Sequence, residues 1–227
     1  MSEIESPQGG KGKRRGKAEG KLPAQIQGAH GQPKEDRPPK ADEDRPLPAD
    51  GETASAFLVV ALGASAGGFR PLQQFFEQIP QDSNMAFVVV MHLAPEYESH
   101  LASLLQTTTK IPVVQVSERT RLQPNQVFVA PPNRNITLQD DELVLSPLEQ
   151  ERGERAPIDH FFRSLAGAYG ASAVCVVLSG TGADGTLGLR RIKEVGGLTV
   201  AQDPADAEYS AMPQNAIATG EVELVLP

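Results

Sequence analysis

Three uninterrupted apolar runs constrain this chain most: FLVVAL at 57–62, AFVVVM at 86–91 and AVCVVL at 173–178. Each has the length of one strand and no polar face. Such a strand must be covered on both sides, as in a parallel sheet sandwiched between helices. The segments between the runs supply the helices. Residues 71–79 carry Leu72, Phe75, Phe76 and Ile79 on one stripe, the pattern of an amphipathic helix, which Pro80 closes. Gly63 is expected to end the first strand. Leu101, Leu104 and Leu105 predict a second helix, and Ile158, Phe161, Phe162 and Leu165 a third. Further helices are predicted over 185–195 and 213–218, with strands at 198–201 and 222–226. Residues 111–145 depart from this rhythm and hold short strand-like pieces. Residues 127–130 are one, and 135–138 with 143–145 read as a hairpin across Gln139, Asp140, Asp141 and Glu142. Strands alternating with helices predict an α/β fold with a mainly parallel sheet.

The ordered part is expected to begin at Phe57. Residues 1–56 contain eight Gly, seven Pro and few large apolar side chains, so they cannot bury enough surface to offset their ordering entropy. They read as a disordered, solubilising tail, in preference to a basic arm built on Lys11, Lys13, Arg14, Arg15 and Lys17. The tail is charge-balanced, so the net −8 falls on residues 57–227. An acidic body disfavours a nucleic-acid backbone as partner. No apolar stretch is long enough for membrane insertion, and the tail lacks the apolar core of a secretory signal. The single cysteine, Cys175, excludes an internal disulfide and a cysteine-rich zinc site, and reads as a buried small hydrophobe. These features are consistent with a soluble protein of a reducing compartment such as the cytoplasm.

In open α/β sheets, ligands bind beyond the carboxyl ends of the strands. The first run delivers GASAGG at 63–68, the second delivers His92, and the third delivers SGTGADG at 179–185. Ser65, between small residues in a strand-to-helix turn, suits a nucleophile. The same string would also serve as a phosphate-binding turn or a helix cap. His92 suits a general base; a structural histidine is the alternative. Asp184 can orient an imidazole, or cap the helix over 185–195. His100 and His160 fall within predicted helices and read as surface or capping residues. The order Ser–His–Asp differs from the α/β-hydrolases, in which the acid precedes a late histidine; here no histidine follows His160.

Taken together, residues 57–227 resemble the catalytic domain of the CheB-type chemotaxis protein-glutamate methylesterases. The motifs that carry the resemblance are GASAGG at 63–68, the strand ending in His92, VFVAPPN at 127–133 and PIDHFFRSLA at 157–166. LSGTGADGTLGLRRIKEVGG at 178–197, AQDP at 201–204 and MPQNAIATG at 212–220 complete the set. The wording of SGTGADG and MPQNAIATG is most similar to methylesterase domains of hybrid proteins that continue into a methyltransferase. The resemblance implies a doubly wound sheet with helices on both faces and a small antiparallel hairpin. It implies Ser65 as nucleophile, His92 as base and Asp184 as its orienter, with backbone amides of Ala66 and Thr181 as oxyanion donors. It further implies hydrolysis of γ-glutamyl methyl esters on chemoreceptor helices, in many members also glutamine deamidation, and no metal or cofactor. A methyltransferase is an implied partner or fused domain.

Three departures stand out. Met91 replaces the glutamine usual before the histidine. Residues 1–56 stand where a phosphorylatable receiver domain is usual. The chain ends just after the last predicted strand, as a fragment of a hybrid would. These departures favour the competing expectation, a signalling or binding module of weak or absent turnover. A phosphate-binding domain built on 63–68 ranks last, because it lacks the Lys-Ser/Thr of a nucleotide loop.

Overall fold

A computed structural model describes residues 57–92, 100–147 and 156–227. The expectations for residues 1–56 lie outside the described residues. The first half runs β1 (Leu58–Ala64), α1 (Phe69–Gln78), β2 (Met85–Met91), α2 (Leu101–Gln106), β3 (Val113–Gln115), β4 (Arg119–Arg121) and β5 (Gln126–Val129). It continues with β6 (Arg134–Gln139), β7 (Glu142–Pro147), α3 (Pro157–Tyr169), β8 (Ala173–Val177), α4 (Thr186–Glu194), β9 (Leu198–Gln202), α5 (Ala211–Ala218) and β10 (Leu224–Leu226). Seven strands form one parallel sheet in the order β10-β9-β8-β1-β2-β5-β3, and β4-β7-β6 form a small antiparallel sheet. The α/β expectation holds, with helices on both faces.

The apolar runs are buried on both faces because successive side chains of a strand point opposite ways. In β1, Val59 and Ala61 join the core that holds Ile158, Phe161, Phe162 and Leu165 of α3 with Leu189 and Ile192 of α4. Val60, Leu62 and Ala64 join the second core, which holds Leu72 and Phe76 of α1 and Leu105 of α2. Phe76 meets Phe87 of β2 edge to face at 5.5 Å. The predicted hairpin is β6–β7. Its tip residues Asp140 and Asp141 both have positive φ (47° and 63°), which a two-residue turn matched to strand twist requires.

One expectation needs correction. Gly63 does not end β1, which runs on to Ala64. A side chain at 63 would meet Ile158 Cγ2 at 2.5 Å, so this glycine lets α3 lie directly on the strand. The region 111–145 also contains β3 and β4, three residues each, which the sequence pattern does not resolve.

Candidate active site

Strand order sets the stage. From β1 the chain moves outward to β2 and on to the edge strand β3, fills the gap between them with β5, and returns on the other side of β1 as β8. The strand order reverses at β1, and a crevice opens at such a switch point beyond the carboxyl ends. Ser65 follows β1 at this point. His92 follows β2 on one side, and the loop bearing Asp184 follows β8 on the other.

The Ser65 turn is tied down by backbone. Its amide donates to Ser179 O at 3.0 Å, and its carbonyl accepts from Gly68 N at 3.0 Å, closing the turn just before α1. Gly67 has φ +69°, and a side chain there would meet Ser179 Oγ at 2.8 Å and Tyr209 Cδ2 at 2.9 Å. Gly180 passes so close that a side chain would overlap Ser65 Cβ and the Met212 sulfur. Ser179, fully buried, is the fastener. Its hydroxyl donates to Ala66 O at 2.9 Å and accepts from Tyr209 N at 3.0 Å, while its amide donates to Gln202 Oε1 at 2.9 Å. Three loops are thereby held together around Ser65. Ser65 itself is 8% exposed.

His92 is exposed, and its amide donates to Ala64 O at 2.9 Å, extending the β1–β2 pairing by one residue. Ser65 Oγ lies 3.5 Å from the His92 carbonyl, a long and weak contact. The structure therefore brings the backbones at 65 and 92 side by side. Among the described residues, the His92 imidazole makes no hydrogen bond to Ser65 or Asp184.

Asp184 is engaged elsewhere. Its Oδ2 accepts from Ile158 N at 3.1 Å and its Oδ1 from Asp159 N at 2.9 Å. These amides are orphan donors of the first turn of α3, whose N-cap residue, Ala156, has no side chain to offer them. Asp184 caps α3 and not the helix over 185–195 expected from its position: α4 begins after Gly185 without a side-chain cap of its own. Burial, with Asp159 nearby, pushes the Asp184 carboxyl up from 3.8 to about 6, against the opposing pull of the Ile158 and Asp159 amides. Each carboxylate oxygen keeps a second lone pair, so the acid retains capacity for another donor.

The amides of Ala66 and Thr181 donate to no acceptor among the described residues. Ala66 lies just before α1, where the helix dipole favours negative charge. His100 is the N-cap residue of α2 and His160 is exposed on α3, so neither lies at a strand end. Cys175 is fully buried, and burial pushes its thiol up to about 12, which removes it as a nucleophile.

Sequence reasoning assigned no role to Ser179, Gln202 or Asp159. Ser179 and Gln202 stand at or just past strand ends in the quoted motifs, and that position was the available signal. Asp159, in PIDH, carries no local signal, because its partner Gly188 is 29 residues away.

The CheB methylesterase family profile matches residues 60–227. An uncharacterized 104.1 kDa protein of Rhodobacter capsulatus is 46% identical over 126 residues, 56% of this chain and 13% of that protein. Protein-glutamate methylesterase/protein-glutamine glutaminase 1 of Geobacter sulfurreducens is 31% identical over 196 residues, covering 84% of this chain and 54% of the relative. The chain spans about half the length of several of the curated relatives it matches. The crystal structure of the Thermotoga maritima CheB methylesterase catalytic domain aligns with a TM-score of 0.69 at 27% identity, over 75% of this chain and 93% of that one. By its profile match over most of its length, the chain belongs to the CheB methylesterase family.

Proposed function

We propose that this chain is a protein-glutamate methylesterase that hydrolyses γ-glutamyl methyl esters on the helices of methylated chemoreceptors. The observation that carries this reading is the pairing of Ser65 and His92 at the ends of adjacent strands, with the Asp184 loop on the far side of β1. Ser65 Oγ attacks the ester carbonyl carbon as the His92 imidazole takes its proton. The amides of Ala66 and Thr181 hold the oxygen as it gains charge. The tetrahedral adduct collapses, and methanol leaves with the proton returned by His92. Water, deprotonated by His92, then attacks the acyl-enzyme and frees Ser65 and the receptor carboxylate. Asp184, ionised, orients the imidazole and stabilises its charged form. The same cycle acting on a glutamine amide would release ammonia.

The test is methanol release from a methylated receptor fragment. Ser65→Ala is expected to lower the rate on the order of 10⁴-fold or more. Full activity in this variant would overturn the reading.

A second reading is a signalling module without turnover. Met91 beside the site and the uncommitted His92 imidazole favour it. A serine-directed phosphonate separates the two: labelling at Ser65 supports the esterase, and an inert but folded protein supports the module.

A further inference from the structure

Asp159 is a buried carboxylate that the proposed hydrolysis does not use. It is 7% exposed, on the first turn of α3. Its Oδ1 accepts from Gly188 N at 2.7 Å. Gly188 is the third residue of α4, and the helix is preceded by Gly185, which has no side chain to cap it. Asp159 thus caps α4, just as Asp184, two residues before α4, caps α3. Each helix begins after a residue unable to cap, Ala156 or Gly185, and each receives its cap from the other. The exchange is close-fitting. A side chain at 188 would overlap Phe162 and approach the Asp159 carbonyl at 2.9 Å. A side chain at 185 would meet Ile158 Cγ2 at 3.0 Å. The Asp184 loop is therefore gripped at its own carboxylate and again at Gly188.

We propose that Asp159 is a positioning residue for Asp184: by capping α4 it fixes the loop from which Asp184 reaches the imidazole. The inference rests on the assignment of Asp184 as the orienting acid. Asp159 also acts through charge, since its carboxylate opposes ionisation of Asp184. The charged group acting on Asp159 is Arg163, further along α3, and the charged group acting on Asp184 is Asp159, across the helix contact.

The experiment compares Asp159→Ala, Asp159→Asn and Asp184→Asn for methanol release from a methylated receptor fragment, across pH, with circular dichroism to establish folding. Asp159→Ala is expected to lower kcat about tenfold or more with KM within twofold, because the acid is misplaced but the substrate surface is intact. Asp159→Asn keeps an oxygen for Gly188 N and is expected to recover most of kcat. Its missing charge is expected to move the acid limb of kcat/KM to lower pH, which a purely structural cap would leave in place. Wild-type kcat in folded Asp159→Ala, or an unmoved acid limb in Asp159→Asn, overturns the inference. If Asp159→Ala does not fold, the acid limb of Asp159→Asn decides alone. Full activity in Asp184→Asn overturns the assignment beneath it, whereas an inactive Asp184→Asn beside unaffected Asp159 variants overturns this inference only.

Discussion

A methyl group on Gly67 would run into Ser179 Oγ, Glu208 Cβ and Tyr209 Cδ2 at a backbone angle that L side chains resist. Gly67→Ala is therefore expected to cost about 1–3 kcal/mol, read as a lower urea midpoint. Phosphonate labelling of Ser65 is expected to slow more than this loss implies, because the turn that aims the hydroxyl is displaced. Asp184 makes a second prediction at this scale. Folded, it binds its proton with a pKa of about 6 against 3.8 when unperturbed. Its stabilising contribution is therefore fully present below about pH 4 and is lost as pH rises through about 6, a swing of at most about 3 kcal/mol. Urea titrations of wild type and Asp184→Asn at pH 4.5 and 7.5 check the sign: only wild type carries this loss. Activity is expected to run the other way, since the orienting role proposed for Asp184 needs the ionised form, so the proposed hydrolysis is expected to fall below about pH 6. The positions of Ser65 and His92 at strand ends were legible because long apolar runs mark the strands before them, with Gly63 and Ala64 intervening before Ser65 and nothing before His92. The cap that Asp184 makes was not, because its partner amides lie 25 and 26 residues earlier.

Elements show the same division between local and distant causes. β1, β2 and β8 were legible because a strand covered on both faces leaves an unbroken apolar run. β3 and β4, with three residues each, are too short for any period to register, and pairing to β5 and β7 defines them. Gly63 reads as a stop because a glycine that admits a packed helix and one that breaks a strand look alike in sequence. The fastening of the loops beyond the sheet depends on Ser179. Ser179→Ala leaves Ala66 O and Tyr209 N without their side-chain partner, and is expected to cost about 1–3 kcal/mol. Amide hydrogen exchange is the check: faster exchange is expected around 66 and 209, with α2, which none of these bonds touches, unaffected.

For the whole molecule, the sheet divides the interior into two cores, one under α3 and α4 and one under α1 and α2. Phe162→Ala and Phe76→Ala cut one core each, and each is expected to cost about 3–5 kcal/mol. Because both cores share the strands between them, each variant is expected to lower a single common unfolding midpoint, seen identically by near- and far-ultraviolet dichroism. Cys175 sits in β8 with no exposed surface, and it is the only cysteine in the sequence. The molecule thus carries its own clock: an alkylating reagent must wait for the central strands to part, so native protein is expected to react on the order of 10³-fold or more slower than denatured protein. Any ligand that tightens the fold would lengthen that wait, and could be found by timing one thiol.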